Sequence, residues 1–317
     1  MEQSKIITAV AGVDVGKHWL DAAVHGGGSG VRFANDRKGI DELIAWLKAR
    51  EVGRVGLEAT GGYEREVRQA CAAAGLEVVV HQPAEVRLFA RLKRLRAKTD
   101  AIDARLIATA TAQVDTVRAA ADPRLAELAE RLTAYEQIVD QAAELKTFLE
   151  QVRLKDLTRV LQRQIATLER LKARLCAGIL AHVRAQPDLK ARFDLLTSLP
   201  GVGPVVAMSL LIRMPELGAM KRGQPAALVG VAPFDRQSGQ FKGRTPIGGG
   251  RRRPRRMLYL AALAAKRFDP GFKAFATRLA TTGKPTKLII VAVMRKLIEA
   301  ANLILARKRP WSKIQPA

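Results

Sequence analysis

Two apolar runs decide the fold: Val52-Gly-Arg-Val-Gly-Leu57, which delivers Glu58 at its end, and residues 5–15, KIITAVAGVDV, which carry Asp14 near theirs. Both are rich in β-branched and small residues and show no helical period, so each reads as a buried strand. Gly16 breaks the first run. Trp19 to Val24 (WLDAAV) is a second short strand, residues 25–30 (HGGGSG) a turn, and Val31 to Ala34 a third strand, which together make an antiparallel meander. Gly39 to Arg50 carries Ile40, Leu43, Ile44 and Leu47 at helical spacing. After Glu58, Ala59-Thr-Gly-Gly62 turns the chain into a helix from Tyr63 to Ala74, and Leu76 to Val80 is another strand. Three strands, helix, strand, helix, strand, helices is the order of a ribonuclease-H-like fold, in which the first and fourth strands lie side by side.

Beyond that sheet, Arg91 to Ala104 reads RLKRLRAKTDAIDA. Five cations run into two carboxylates, Asp100 and Asp103, set three apart in the first turns of a helix that Thr99 can cap. Cations suit a polyanion and bare carboxylates repel one; a divalent ion between acid and phosphate resolves the conflict. Two early acids also complement a helix dipole, so this pair alone decides nothing. The fold order adds weight, because Asp14 and Glu58 end neighbouring strands at the sheet edge where open α/β folds place their sites. Asp14, Glu58, Asp100 and Asp103 form an oxygen-only ligand set suited to Mg²⁺ or Mn²⁺.

The 317 residues allow two domains, or two and an extension. Fifty-four Lys and Arg stand against 30 Asp and Glu, a net charge of +24, which points to nucleic acid first and an anionic membrane second. No apolar run approaches a spanning helix; Leu288 to Val293 is among the longest, so no membrane partner is expected. The opening residues lack a charged n-region followed by an apolar one, and Cys71 and Cys176 are too few for a disulfide framework or a zinc site. A reducing cytoplasm fits both. Aromatic residues at 5% argue against a base-stacking platform and for recognition through phosphates.

From Leu125 the apolar spacing alternates three and four (Leu125, Leu128, Leu132, Tyr135, Val139), and Leu161, Leu168 and Leu175 repeat by heptads. Two such helices predict an antiparallel coiled-coil hairpin that contributes to self-association, or else ordinary amphipathic helices packed on the next domain. The expected domains are 1–122, 123–190 and 191–317. In the last, Leu199-Pro-Gly-Val-Gly-Pro204 sits between apolar helices. It reads as a helix–hairpin–helix whose turn, at Gly201 and Gly203, seats a phosphate, or as a plain helix hairpin. Residues 234–256, FDRQSGQFKGRTPIGGGRRRPRR, mix glycines with Arg236, Lys242, Arg244, Arg251, Arg252, Arg253, Arg255 and Arg256. Such a run is a solvated face or a phosphate-binding one, and the net charge favours phosphate. Lys284, in the Gly283-Lys-Pro285 turn between two late helices, joins that set. Trp311 is expected to seal the end.

Taken together, the motifs resemble the insertion-sequence-110 family of transposases, the bridge-RNA-guided recombinases. The matching pieces are Gly12-Val-Asp-Val-Gly-Lys17, Leu57-Glu-Ala-Thr-Gly-Gly-Tyr-Glu64, Lys98-Thr-Asp-Ala-Ile-Asp-Ala104, Leu199 to Pro204, and Ala226-Ala-Leu-Val-Gly-Val-Ala-Pro233. Ser238-Gly239, Gly248-Gly-Gly-Arg251, Leu258-Tyr259, Gly283-Lys-Pro285 and Met294-Arg-Lys-Leu297 complete them. The resemblance spans nearly the whole chain. It implies a RuvC-like N-terminal domain whose tetrad is Asp14, Glu58, Asp100 and Asp103, and a mainly helical C-terminal transposase domain with Ser238 as nucleophile. It also implies a guide RNA that pairs with donor and target DNA, while the coiled-coil segment points to a homo-oligomer, a dimer or tetramer. Gln237 stands where an acid is expected before the serine, and the arginine run is unusually dense. On the residues alone, a metal-dependent junction nuclease and a non-catalytic nucleic-acid-binding protein are the competing readings.

Overall fold

The computed structural model describes residues 9–93, 100–115, 122–233, 237–238, 241–242 and 246–311, without the side chains of 100–102, 237–238 and 241–242. It divides into two compact units, Met1–Ala121 and Asp122–Ala317.

The first unit runs β1 (Ala9–Val15), β2 (Trp19–Val24), β3 (Val31–Ala34), α1 (Arg37–Lys48), β4 (Val52–Glu58), α2 (Arg65–Ala73), β5 (Glu77–His81), α3 (Pro83–Leu92) and α4 (Asp100–Ala112). One sheet has the order β3-β2-β1-β4-β5. The meander β1-β2-β3 is antiparallel, and β1-β4 and β4-β5 are parallel. The first and fourth strands therefore stand side by side, as the element order requires.

Alternation along the strands sorts the two faces. Ala11, Val13 and Val15 of β1, with Val55 and Leu57 of β4, bury against Ile40, Leu43 and Leu47 of α1 and Val67 and Cys71 of α2. Burial pushes the Cys71 thiol up to about 12, so it behaves as a small apolar filler.

The opposite face carries glycine where β1 and β4 meet α4. A Cβ on Gly12 would stand 2.2 Å from the Ala108 N and 2.3 Å from the Ala104 O. At Gly56 it would stand 1.8 Å from the Thr111 Oγ1. The helix lies on bare backbone at these points. Gly12→Ala meets main-chain atoms that cannot rotate away, so it should lift the helix and cost about 1–3 kcal/mol. The urea midpoint of the purified variant measures this.

The second unit is helical. Asp122 caps α5 (Pro123–Leu149) by accepting from the Arg124 N–H at 2.9 Å, and Pro123 opens its first turn. α6 (Lys155–Arg184) returns antiparallel to it: Arg124 pairs with Asp188 just beyond its end, and Lys146 pairs with Glu169. α7 (Pro187–Thr197), α8 (Pro204–Arg213) and α9 (Gln224–Val229) follow. Then come a two-stranded ladder of β6 (Gln237–Ser238) and β7 (Phe241–Lys242), and α10 (Arg252–Phe268), α11 (Pro270–Thr281) and α12 (Thr286–Arg307).

Leu128 and Leu132 of α5 and Ile179 and Val183 of α6 share one core with α7, α8, α10 and α12. The base of the hairpin thus belongs to the same packing unit as the rest of residues 122–317, while Phe148, Leu154 and Val160 at its far end are exposed. Trp311 stacks on Phe272 with ring centroids 5.9 Å apart, and its backbone N–H donates to the Ser198 Oγ at 2.9 Å. Among the described residues, no helix is long and apolar enough to cross a membrane.

Candidate carboxylate site and nucleic-acid interface

Asp14 is the last residue but one of β1, and Glu58 is the last of β4. In the parallel register Gly12 faces Gly56 and Val13 faces Leu57, so Asp14 and Glu58 come next at the same level of adjacent strands. Both follow glycines that touch α4, two residues on, and therefore lie on the α4 face. Both are half-buried.

The direction of α4 brings its acids to the same end. Ala104 and Ala108 cover Gly12, Ile107 and Thr111 cover Gly56, and the Val114 carbonyl beyond the helix accepts from Arg54 Nη1 at 2.7 Å. Arg54 precedes Gly56 by two residues, so the helix runs back along the strands and begins where they end. Asp103 is half-buried one turn before Ile107. Asp100 opens the helix; its side chain and the Thr99 cap lie outside the described residues. Among the described residues, no three Asp, Glu, His or Cys side chains are grouped closely enough to hold a metal ion. The donor chemistry fits a hard cation: three half-buried carboxylates at one sheet end, with Asp100 opening the same helix.

Several supports around this end escaped the sequence reading. Glu64 organises the turn after Glu58, its carboxylate accepting from the Thr60 N–H at 3.2 Å, the Thr60 hydroxyl at 2.9 Å and the Gly62 N–H at 2.8 Å. Burial works to raise the Glu64 pKa. Hydrogen bonds from its own N–H and from Gly62 and Thr60 outweigh burial and hold it below the usual range. Gly61 and Gly62, at φ +79° and +135°, supply the conformations this turn needs. Asn35 Nδ2 donates to the Gly16 carbonyl at 2.8 Å and the Tyr63 carbonyl at 3.4 Å, tying the turn after β1 to the one after β4.

On β5, His81 faces Glu58 in register and meets Thr111 Oγ1 at 2.8 Å. The Thr111 hydroxyl donates to the Ile107 carbonyl at 2.7 Å, so the imidazole Nε2–H must be the donor to Thr111. Burial holds the His81 pKa low, against an upward pull from Glu85, in keeping with that neutral ring. Asp21, opposite Asp14 on β2, is clamped by both donors of the Arg32 fork at 2.9 and 3.0 Å.

In the second unit, Ser238 lies in a ladder rather than a free loop, paired with Phe241, while Gln237 pairs with Lys242. The side chains of Ser238 and Lys242, and all of Arg236 and Arg244, lie outside the described residues. A bridge between Pro233 and Ile247 closes the base of this excursion.

The arginine run is the start of α10. Cations there oppose the helix dipole, and carboxylates and carbonyls from other elements compensate. Arg251 holds Glu216 with both nitrogens at 2.6 and 2.7 Å. Arg253 and Arg213 share Glu136, which is only 9% exposed. Arg255 donates to the Gly230 and Gly249 carbonyls, and Arg256 reaches Asp140 at 2.7 Å. Arg252 and Arg256 are exposed, as is Lys284, whereas Arg251, Arg253 and Arg255 anchor the fold. The glycine triplet also serves packing, since a Cβ on Gly250 would stand 2.3 Å from the Gly230 N. In the α7–α8 turn, Gly201 (φ +76°) lets α10 approach, its absent Cβ lying 2.2 Å from the Ala261 carbonyl; Gly203 is exposed and precedes α8.

Residues 11–152 match a DEDD transposase profile of the IS110 group, described as "Transposase", which makes this chain a DNA-rearranging enzyme. Residues 193–277 match the "Transposase IS116/IS110/IS902 family". Together the two matches take in well over half of the chain, and it belongs to the IS110 family of transposases. Relatives named "Pilin gene-inverting protein" from Moraxella lacunata and Moraxella bovis are each 26% identical over 319 aligned residues. The alignments cover 95% of this chain and 97% of each relative.

Proposed function

We propose that this transposase cuts and rejoins donor and target DNA under the guidance of an RNA, using a carboxylate-held metal and Ser238 as nucleophile. The observation that carries the reading is the level placement of Asp14 and Glu58 on adjacent parallel strands, with the acid-bearing start of α4 at the same sheet end. The strand order supports a ribonuclease-H-like, RuvC-like unit, and the α7–turn–α8 arrangement supports a helix–hairpin–helix. Asp14, Glu58, Asp100 and Asp103 would hold Mg²⁺ or Mn²⁺, which when bound polarises the phosphodiester and acidifies a coordinated hydroxyl.

The remaining chemistry belongs to the chain. The Ser238 hydroxyl gives up its proton as Oγ attacks phosphorus, a P–Oγ bond forms, and the strand's P–O bond breaks. The departing strand oxygen takes a proton. Attack on the phosphoserine by the hydroxyl of another strand end reverses these bonds, so the ester energy is kept rather than lost to water. The heptad helices support a homo-oligomer in which the acids of one copy serve the serine of another. Pairing by the RNA leaves the protein little sequence to read, in keeping with its charge excess and few aromatic rings.

The test mixes purified protein, donor and target DNA, the RNA transcribed from DNA flanking the gene, and Mg²⁺. Joined product is expected, and both EDTA and omission of the RNA should remove it. Cutting without joining would overturn the reading in favour of a nuclease, and joining without RNA would overturn the guided part.

A further inference from the structure

A groove of about 770 Å³ between the start of α10 and the start of α12 gathers motifs that the chemistry above leaves unused. Tyr259 comes from the Leu258-Tyr259 pair, Met294 from Met294-Arg-Lys-Leu297, and Lys287 from just after Gly283-Lys-Pro285. Arg252 and Arg256 line it as well, with the apolar side chains of Leu288 and Val291. The residues lining it include four arginines and a lysine and no acid. Its volume lies within the range of about 300–1,000 Å³ typical of small-ligand sites. Tyr259 is 39% exposed and Leu288 48% exposed, so ring and leucine are open to an occupant.

We infer that this groove seats an unpaired nucleotide of a single strand, the base against Tyr259 and Leu288 and the flanking phosphates on Arg252 and Lys287. This rests on the nucleic-acid reading above and adds a choice between strand forms. A duplex offers only its backbone to such a surface, and its stacked bases cannot lie against Tyr259 and Leu288. An extruded or single-stranded nucleotide presents both a flat apolar base and a phosphate, which matches a lining of apolar and cationic side chains. With aromatic residues at 5% of the chain, one ring for one base is what the composition allows. Arg256 is partly engaged by Asp140, which leaves Arg252 and Lys287 as the principal phosphate contacts.

The experiment is fluorescence anisotropy of the full chain with labelled twelve-nucleotide single strands, one DNA and one RNA, and the matching DNA duplex, across a salt series. Tyr259→Ala should weaken single-strand binding about ten-fold, leave duplex binding within two-fold, and leave the salt slope unchanged. Tyr259→Phe should restore wild-type binding. Arg252→Gln with Lys287→Gln should flatten the salt slope on the single strand. Whichever of the DNA and RNA arms responds to Tyr259→Ala names the source of the strand. Equal loss on duplex and single strand would reduce the groove to a backbone contact and overturn the inference, as would no loss on either. A changed sedimentation coefficient of Tyr259→Ala without nucleic acid would assign the groove to a second copy, overturning it too. If the unaltered chain bound none of the three probes, the nucleic-acid reading would fail with it.

Discussion

Asp14→Asn is expected to lower strand exchange on the order of 1,000-fold or more, and Glu58→Gln to do the same, while nucleic-acid affinity stays within about two-fold. Each change keeps the shape of the side chain and removes its charge, so the sheet end should keep its packing. The neighbouring acid on the same ladder is the control. Asp21 stands opposite Asp14, yet both donors of the Arg32 fork already hold it. Asp21→Asn should loosen an exposed ion pair worth under about 1 kcal/mol and leave exchange nearly intact. The contrast separates a site from a merely acidic edge. Strand exchange by Asp14→Asn at the normal rate, or equal losses in Asp14→Asn and Asp21→Asn, would remove the carboxylate site. Metal binding supplies an independent readout. Mn²⁺ bound to the full chain without DNA, followed by its paramagnetic resonance signal, should fall in Asp14→Asn and Glu58→Gln and persist in Asp21→Asn.

Much of the first unit was legible because its rules are local. β2 and β3 begin and end where the alternation and the glycine turn put them, and the adjacency of β1 and β4 follows from a parallel crossover through α1. Asp14 and Glu58 were visible for the same reason: each is a carboxylate closing an apolar strand. The supports were not visible. Glu64 looks like an ordinary helix-start acid until the turn at 59–62 folds back on it, and the His81–Thr111 bond joins residues thirty apart. The second unit misled where local and tertiary effects disagree. Five arginines at the start of a helix oppose its dipole, and in sequence residues 251–256 read only as a solvated or phosphate-binding face. Glu216, Glu136 and Asp140, from as far as 117 residues away, make the helix tolerable there. The same distance hid the division of labour within the run. Nothing in RRRPRR marks Arg251, Arg253 and Arg255 as anchors and Arg252 and Arg256 as exposed. Gly201 and Gly250 carried a similar ambiguity, since a glycine needed for close packing looks in sequence like one needed for a phosphate.

Ser238→Ala should abolish joining altogether, with no protein–DNA adduct formed, even though every carboxylate and the metal are retained. Ser238 ends a two-residue strand and is paired with Phe241. A ladder position orders the backbone that carries the hydroxyl, and a nucleophile depends on such positioning. Alanine fits that backbone as well as serine, so the ladder should survive and the loss should be chemical. Labelled DNA, guide RNA and Mg²⁺, run on a denaturing gel, should show label migrating with the wild-type protein, and peptide mapping should place it on Ser238. Ser238→Cys should keep a trace of adduct, because a thiol attacks phosphorus but prefers softer partners than Mg²⁺. Asp14→Asn should lose the adduct too, because the proposed mechanism has the acids and the serine act at one phosphodiester. Joining by Ser238→Ala at the normal rate would make the serine a ladder residue and nothing more. Cleavage by Ser238→Ala with no joining would mean that water, activated at the carboxylates, is the true attacking group, and that the chain works as a nuclease.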